Sequence, residues 1–180
     1  MATVEQITTA EQLFEASLQH CELIEGELVM TSPAGFDHGG IAGNIAMALG
    51  GFVKPHSLGT IVTAETGFQI AHNPDTVRAP DVAFVRANRI PRGGVKGFFQ
   101  GPPDLAVEIV SPSDRASEVA AKAKDWLQAG CLLVWVVDPE TRSVSVYRRG
   151  GEITLLGEAD TPTGDDVLPG FAVAVREIFA

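Results

Sequence analysis

Basic residues are scarce in this sequence. Its 180 residues include 13 lysines and arginines against 23 aspartates and glutamates, so the formal net charge is −10 at pH 7. Proteins that bind nucleic acid usually carry a basic surface, because the phosphate backbone is itself negatively charged. The overall charge therefore argues against non-specific binding to nucleic acid, and any contact with phosphate must come from a local group of cations.

Cysteine is rare as well, with only Cys21 and Cys131. Two cysteines form neither the framework of a disulfide-rich domain nor a cysteine-rich metal site. Both lie in apolar segments typical of strands, so we expect free, buried thiols. A reducing cytoplasm is the expected location.

Long apolar runs are missing too. None approaches the ~20 residues that a membrane-spanning helix needs, and the first residues, MATVEQITTAEQ, lack the basic region and apolar core of a signal peptide. Repeats, low-complexity tracts and linkers are also missing. Because 45% of the residues are hydrophobic and 20% are charged, the chain is able to bury a core. We therefore expect a single domain over residues 1–180 with no membrane association.

Two familiar catalytic motifs are not found. The segment GGIAG is not the G-x-G-x-x-G fingerprint of dinucleotide-binding proteins. The serines near Ser111 lack the G-x-S-x-G turn of many hydrolases. Neither a dinucleotide-binding protein nor a serine hydrolase is indicated.

The most informative feature is a lone acid in an apolar strand. Residues 104–110 alternate with period two, which predicts a strand. Glu108 lies in its middle, on the same face as Ala106 and Val110. A carboxylate is costly to bury there unless a cation or several donors meet it. Glu108 therefore marks a candidate site.

A helix and a second strand follow. Apolar residues at helical spacing predict a helix over residues 114–129, capped by Ser113 or Asp114 and ended by Gly130. A valine-rich run over residues 131–138 predicts a buried strand. The other predicted elements are a helix after the capping box Thr9-x-x-Gln12, a hairpin over 22–30, a helix from a cap at Asp37 to 53, strands over 59–70 and 81–85, a loop or irregular helix over 86–103, a hairpin over 143–156 and a short strand from 168. This order predicts a mixed sheet with helices on its faces.

A second acid stands at the head of the strand over residues 81–85. Asp81 follows Pro80 directly, and neighbouring strands would bring it close to Glu108. Two carboxylates that close are unfavourable unless a cation bridges them, and carboxylate and carbonyl oxygens suit Mg²⁺ or Mn²⁺. The alternative is two independent acids at strand ends.

Cations occur in two places near these acids. Lys122 and Lys124 lie at the edges of the apolar stripe of the predicted helix, and the spacing does not choose between them or exclude two surface lysines. The loop after residue 85 contains no acid up to Asp104 and carries the basic run of the chain, namely Arg86, Arg89, Arg92 and Lys96. This run is a candidate for phosphate contacts, and the alternative is a solvated loop.

Several segments together resemble the PD-(D/E)XK nuclease superfamily, and more closely a bacterial family of restriction endonuclease-like proteins of unknown function. They span residues 21–171: CELIEGELVM, the helix that begins near His38, ETGFQI, RAPDVAFV, PDLAVEIVSPSD, K-x-x-x-W-L-x-A-G, VVDPE and LPGF. The resemblance implies the α/β (α+β) restriction endonuclease-like fold: an αβββαβ core with a mixed central sheet flanked by helices, with extra hairpins near both chain ends.

The resemblance also implies roles for site residues. Asp81 and Glu108 would hold Mg²⁺ or Mn²⁺ together with the carbonyl oxygen of Ile109. His38 and Glu22 match positions that recur in the family, with supporting roles at the site.

The catalytic lysine is displaced in this family. The superfamily usually has lysine two residues after the second acid, where this chain has Val110. The related family carries its lysine on the next helix, eight residues before the glycine at its end, and this position selects Lys122.

The resemblance implies a metal-dependent endonuclease that hydrolyses phosphodiester bonds of nucleic acid, with DNA as the expected substrate. One alternative is a binding module that keeps the fold and ligates metal without cutting. Another is a structural oligomer, for which the apolar strands are the only support, and a homodimer is left open.

Overall fold

The computed structural model describes residues 6–112 and 114–180. The α-helices in this part of the chain are α1 (Ala10–Ala16), α2 (Phe36–Val53), α3 (Ala116–Ala129) and α4 (Val175–Ile178). The strands are β1 (Cys21–Ile24), β2 (Glu27–Met30), β3 (Gly59–Thr63), β4 (Phe68–Ala71), β5 (Thr76–Arg78), β6 (Val82–Arg86), β7 (Phe99–Gln100), β8 (Leu105–Ile109), β9 (Leu133–Asp138), β10 (Ser143–Arg148), β11 (Ile153–Leu156), β12 (Thr163–Gly164) and β13 (Leu168–Ala172).

A six-stranded mixed sheet forms the centre of the fold, in the order β11-β10-β9-β8-β6-β3. Strands β8 and β9 are parallel, and the other neighbours in this sheet are antiparallel. A second, five-stranded sheet has the order β2-β1-β5-β4-β7. The elements α2, β3, β6, β8, α3 and β9 form the αβββαβ core, which confirms the predicted fold class.

The helices cover the two faces of the central sheet. The buried residues of α2 follow the spacing of a helix that packs on one side: Ile41, Ile45, Leu49 and Val53. They pack against residues of one parity in the sheet, such as Phe84 and Val107. Ala123 and Trp126 of α3 pack against the opposite face, where Ala106 lies. Because strand residues alternate, Glu108 shares the face of Ala106, as predicted, and α3 covers this face.

The expected long strand over residues 59–70 is wrong, since the chain forms β3 in the six-stranded sheet and β4 in the five-stranded sheet. Between them, Glu65 adopts a left-handed conformation with φ of 68°. A Cβ atom at Gly67 would lie 2.3 Å from the Phe98 ring, so this turn requires glycine. The pattern of apolar and polar residues in the sequence does not reveal this turn between β3 and β4.

Two predicted helix caps are also wrong. Helix α2 begins at Phe36 with Gly35 as its N-cap, so Asp37 lies in the first turn. Its negative charge there interacts favourably with the helix dipole. Helix α3 begins at Ala116 after Arg115. Asp114 instead accepts a hydrogen bond from the Ser111 amide at 2.8 Å, and Ser113 lies outside the described residues.

Other local predictions are confirmed. The capping box of Thr9 and Gln12 starts α1, and Gly130 ends α3 with φ of 106°. Both hairpins form, between β1 and β2 and between β10 and β11.

Across residues 6–112 and 114–180, no helix is both long enough and apolar enough to cross a membrane.

Both cysteines are free, as expected, but they differ in burial. Cys131 is fully buried, and burial raises the pKa of its thiol to about 12. Cys21 is only partly buried.

We expect Gly59→Ala to destabilise the protein. A Cβ atom at residue 59 would lie 2.0 Å from the Val85 carbonyl oxygen in β6, so β3 would have to move away from its neighbour. Overpacking of this kind costs roughly 1–3 kcal/mol. Gly43→Ala is the control: its Cβ meets nothing within 4 Å inside α2, so it should add about 1 kcal/mol of stability. Chemical denaturation of both variants tests this, and equal stability of the two would contradict the pairing of β3 with β6.

Candidate active site

The two acids singled out in the sequence lie beside each other on neighbouring strands. Asp81 directly precedes β6, and its amide donates a hydrogen bond to the Val107 carbonyl at 3.1 Å. Its Oδ2 atom accepts a hydrogen bond from the Ile109 amide at 2.7 Å. These contacts lie on either side of Glu108 in the sequence of β8. In an extended strand the amide and carbonyl of one residue face the same side, so the Ile109 carbonyl faces the Asp81 side.

Glu108 is almost fully buried, with 5% of its surface exposed. Its Oε1 atom accepts a hydrogen bond from Nε1 of the buried Trp126 at 2.7 Å. Its Oε2 atom lies 2.9 Å from Nζ of Lys122. Both partners come from α3, one turn apart. The carboxylate is therefore paired with a cation, as its burial requires.

Lys122 is shared by two carboxylates, since its Nζ also lies 3.3 Å from Oε1 of Glu22 in β1. The second lysine considered in the sequence, Lys124, is exposed on the same helix. The structure therefore brings Lys122 to the acids, in agreement with the position that the resemblance selected.

His38 stands in the first turn of α2, on the other side of Asp81. Its Nε2 atom lies 2.9 Å from Oδ1 of Asp81, and its Nδ1 atom lies 3.5 Å from the Ser111 hydroxyl. His38 thus holds Oδ1 of Asp81 in place, while the Ile109 amide holds Oδ2.

The surroundings change the ionisation of these groups. Burial raises the pKa of Glu108 to about 7, even though Lys122 acts to lower it, and the nearby charges of Asp81 and Glu22 raise it further. Burial acts to lower the pKa of Lys122, but Glu108 and Glu22 outweigh this effect and raise it above its ordinary value. The hydrogen bond to Asp81 raises the pKa of His38, against the effect of burial. Lys122 is therefore protonated at neutral pH, whereas Glu108 is close to half-ionised near pH 7.

The donor set fits a divalent metal ion. Within residues 6–112 and 114–180, no group of three or more His, Cys, Asp or Glu side chains is arranged to hold a metal. An ion would thus need Asp81, Glu108, the Ile109 carbonyl and water, all of them the oxygen ligands that Mg²⁺ and Mn²⁺ prefer. Each carboxylate oxygen has two lone pairs, so the observed hydrogen bonds leave room for coordination. Burial is the main cause of the raised pKa of Glu108, and a bound metal ion would offset it by favouring the ionised carboxylate.

The structure does not bring Arg86 and Arg89 to this site. Arg86 lies at the far end of β6 from Asp81, roughly 16 Å away at the rise of a strand. Arg89 Nη1 lies 2.9 Å from Oδ2 of the buried Asp104, and Arg86 Nε lies 3.8 Å from its Oδ1. These two arginines therefore neutralise a buried acid, which corrects the expectation that they flank the site. Arg92 and Lys96 are exposed in the loop that follows, and their contact with phosphate stays a prediction.

Three further residues support the site without having been assigned to it from the sequence. Arg78 binds Glu22 at 2.9 Å and also binds Asp125. Asp125 is thus the second of these residues, and the third is Trp126, which donates a hydrogen bond to Glu108. Arg78 belongs to the segment RAPDVAFV, which carried the resemblance, but no local pattern in the sequence shows which acids it binds.

The comparisons with known proteins agree with the fold and with the family that the sequence resembles. Residues 4–176 match the model of a family described as "Uma2: Putative restriction endonuclease". Among solved structures, the chain is similar to a protein of Anabaena variabilis ATCC 29413 described as "a putative nuclease belonging to DUF820". The TM-score is 0.82 at 21% identity, over 95% of this chain and 97% of that one, which shows a shared fold. No curated protein matches the sequence.

We expect the stability of the metal-free protein to fall between pH 4.5 and 8 because of Glu108. Its pKa is raised on folding from 4.5 to about 7, so the unfolded chain ionises first. The stability linked to this group is full below pH 4.5 and is lost as the pH rises through 7, by about 3 kcal/mol. Glu108→Gln should remove this part of the pH dependence, as measured by denaturation in EDTA. Glu27→Gln, at an exposed position, is the control, and equal pH profiles for the two variants would contradict the raised pKa of Glu108.

Proposed function

The chain belongs to the family described as putative restriction endonucleases, and we propose that it hydrolyses phosphodiester bonds with the help of Mg²⁺ or Mn²⁺. The observation that carries the proposal is the Lys122 ammonium group, which lies 2.9 Å from Glu108 in β8, the strand whose Ile109 amide binds Asp81. Two acids are able to hold a metal ion for hydrolysis, and a lysine beside them is able to stabilise developing negative charge.

In this proposal Asp81, Glu108 and the Ile109 carbonyl hold the metal ion. When bound there, the ion polarises the phosphate and lowers the pKa of a coordinated water. Asp81 is kept in place by hydrogen bonds to both of its oxygens, from the Ile109 amide and from His38. The carboxylates are thus oriented before a ligand arrives, which reduces the cost of reorganisation.

Lys122 is the proposed catalytic cation. Its side chain is 27% exposed, so a water molecule or a phosphate oxygen can approach the ammonium group. There it would orient the attacking water or stabilise the negative charge that grows on the phosphate. Its raised pKa keeps it protonated at neutral pH, and a proton donor of this kind does not act as the general base.

We infer that DNA is the substrate from the family description, and that the enzyme is weak or narrowly selective. A net charge of −10 opposes attraction to any nucleic acid, so binding must depend on local cations and low salt. Arg92 and Lys96 are exposed in one loop and are the candidates for such contacts.

The second candidate function is a binding module that ligates metal without cutting. Val110 favours it, because the position where the superfamily usually has its lysine holds an apolar side chain here. The outcome of the cleavage experiment below decides between the two functions.

We expect Mn²⁺-dependent cleavage of DNA by the wild-type protein at low salt, with no cleavage in EDTA. Lys122→Ala should reduce the rate by about 100-fold or more, because it removes the cation beside the reacting phosphate. Lys124→Ala removes an exposed lysine two residues away and should keep full activity.

The assay uses labelled DNA and RNA oligonucleotides and plasmid DNA. Loss of activity in Lys124→Ala with full activity in Lys122→Ala would show that the lysine is wrongly assigned. A wild-type protein that binds Mn²⁺ and cuts none of these substrates would favour the binding module.

A further inference from the structure

We propose that Arg78 is a positioning residue that sets the place of the Lys122 ammonium group through Glu22 and Asp125. The inference rests on the proposed function, because it concerns the residue to which that function gives the catalytic charge.

Arg78 connects strand β1 to helix α3 through its two terminal nitrogen atoms. It is the last residue of β5, and only 8% of its surface is exposed. Its Nη1 atom donates to Oε2 of Glu22 in β1 at 2.9 Å, and its Nη2 atom donates to Oδ2 of Asp125 in α3. Asp125 follows Lys122 by three residues, so both side chains lie on the same side of the helix. Arg78 thereby fixes the turn of α3 that carries the lysine.

Arg78 also controls the carboxylate that competes for Lys122. Oε1 of Glu22 accepts a hydrogen bond from the Ala79 amide at 3.0 Å and lies 3.3 Å from Nζ of Lys122, whereas Glu108 lies 2.9 Å from the same Nζ. The lysine is thus balanced between two buried acids. Because Arg78 neutralises Glu22, the attraction of Glu22 for the ammonium group is weakened. Without the arginine, Lys122 should move toward Glu22 and away from Glu108.

The chemistry of the side chain favours positioning over simple stabilisation. A planar guanidinium group can bind two carboxylates at fixed angles, which a lysine ammonium cannot reproduce. Nε of Arg78 is buried without a hydrogen-bond partner among the described residues, which is unfavourable for folding. Buried ion pairs also contribute little to stability compared with an apolar core. Stability alone therefore does not account for an arginine at this position.

The burial of Arg78 determines what its removal should change. A side chain that is 8% exposed does not reach a bound nucleic acid, so substrate affinity should not depend on it. Only the step that uses Lys122 should suffer. We expect Arg78→Met to lower kcat by roughly 10- to 100-fold, since small misplacements of a catalytic group have effects of this size, while KM stays within about twofold.

A double-mutant cycle separates this role from a general structural one. If Arg78 acts through Lys122, Arg78→Met should change kcat by less than about twofold once Lys122→Ala is present. Equal losses in both backgrounds would overturn the inference. Arg148→Met is the matched control, because it removes an arginine paired with Asp165 away from the site and should leave kcat unchanged.

A readout without cleavage keeps the two proposals distinguishable. The lysines of the chain are Lys54, Lys96, Lys122 and Lys124, so the side-chain NMR signals of ¹³C-labelled lysine can be assigned by substitution. Arg78→Met should shift the Lys122 signal and leave that of Lys124 in place, and Arg148→Met should shift neither. An unchanged Lys122 signal would overturn the positioning role even if the wild type cuts nothing. A shifted signal in a protein that cuts nothing would instead refute the proposed function alone.

Should Arg78→Met fail to fold, Arg78→Lys provides the same comparison, since it retains the charge and loses the fork of two donors. We expect it to lower kcat and shift the Lys122 signal in the same direction by a smaller amount. Wild-type kcat together with a wild-type Lys122 signal in this variant would refute the inference.

Discussion

The buried ion pair between Glu108 and Lys122 is the constraint on which the site depends. Glu108 lies mid-strand under α3 with 5% of its surface exposed, and a lone carboxylate there would be very unfavourable. Lys122 and Trp126, one helical turn apart, satisfy its two oxygens at 2.9 and 2.7 Å. The packing of α3 on the central sheet and the charge balance of the site are therefore set by the same two contacts.

Glu108, Glu22 and Asp81 together carry more negative charge than Lys122 balances. This imbalance connects the electrostatics of the site to its proposed chemistry. Lys122 is shared by Glu108 and Glu22, while Asp81 adds a further negative charge on the neighbouring strand. Burial and these neighbours raise the pKa of Glu108 to about 7. A divalent cation would relieve this excess and bring Glu108 to its ionised form. The arrangement is therefore well suited to metal binding although the protein as a whole is acidic.

The sequence predicts those parts of the structure that depend on local periodicity. Alternation places Glu108 on the same strand face as Ala106, and helical spacing places Lys122 at the edge of the apolar stripe of its helix. Contacts over long sequence distances were not accessible in this way. Arg78 binds acids 56 and 47 residues away, and the antiparallel pairing of β6 directs Arg86 toward Asp104 instead of the site. Such contacts depend on strand register, for which a single sequence carries little signal.

Anomalous diffraction from a crystal soaked in Mn²⁺ tests the central claim most directly, because it locates the ion without requiring a substrate. The account predicts a peak bound by the carboxylates of Asp81 and Glu108 and by the Ile109 carbonyl, at about 2.0–2.6 Å from each oxygen. Asp81→Asn should weaken or abolish that peak. A wild-type crystal with no peak at these oxygens, or with the ion bound elsewhere while Glu108 stays paired with Lys122 alone, would contradict it.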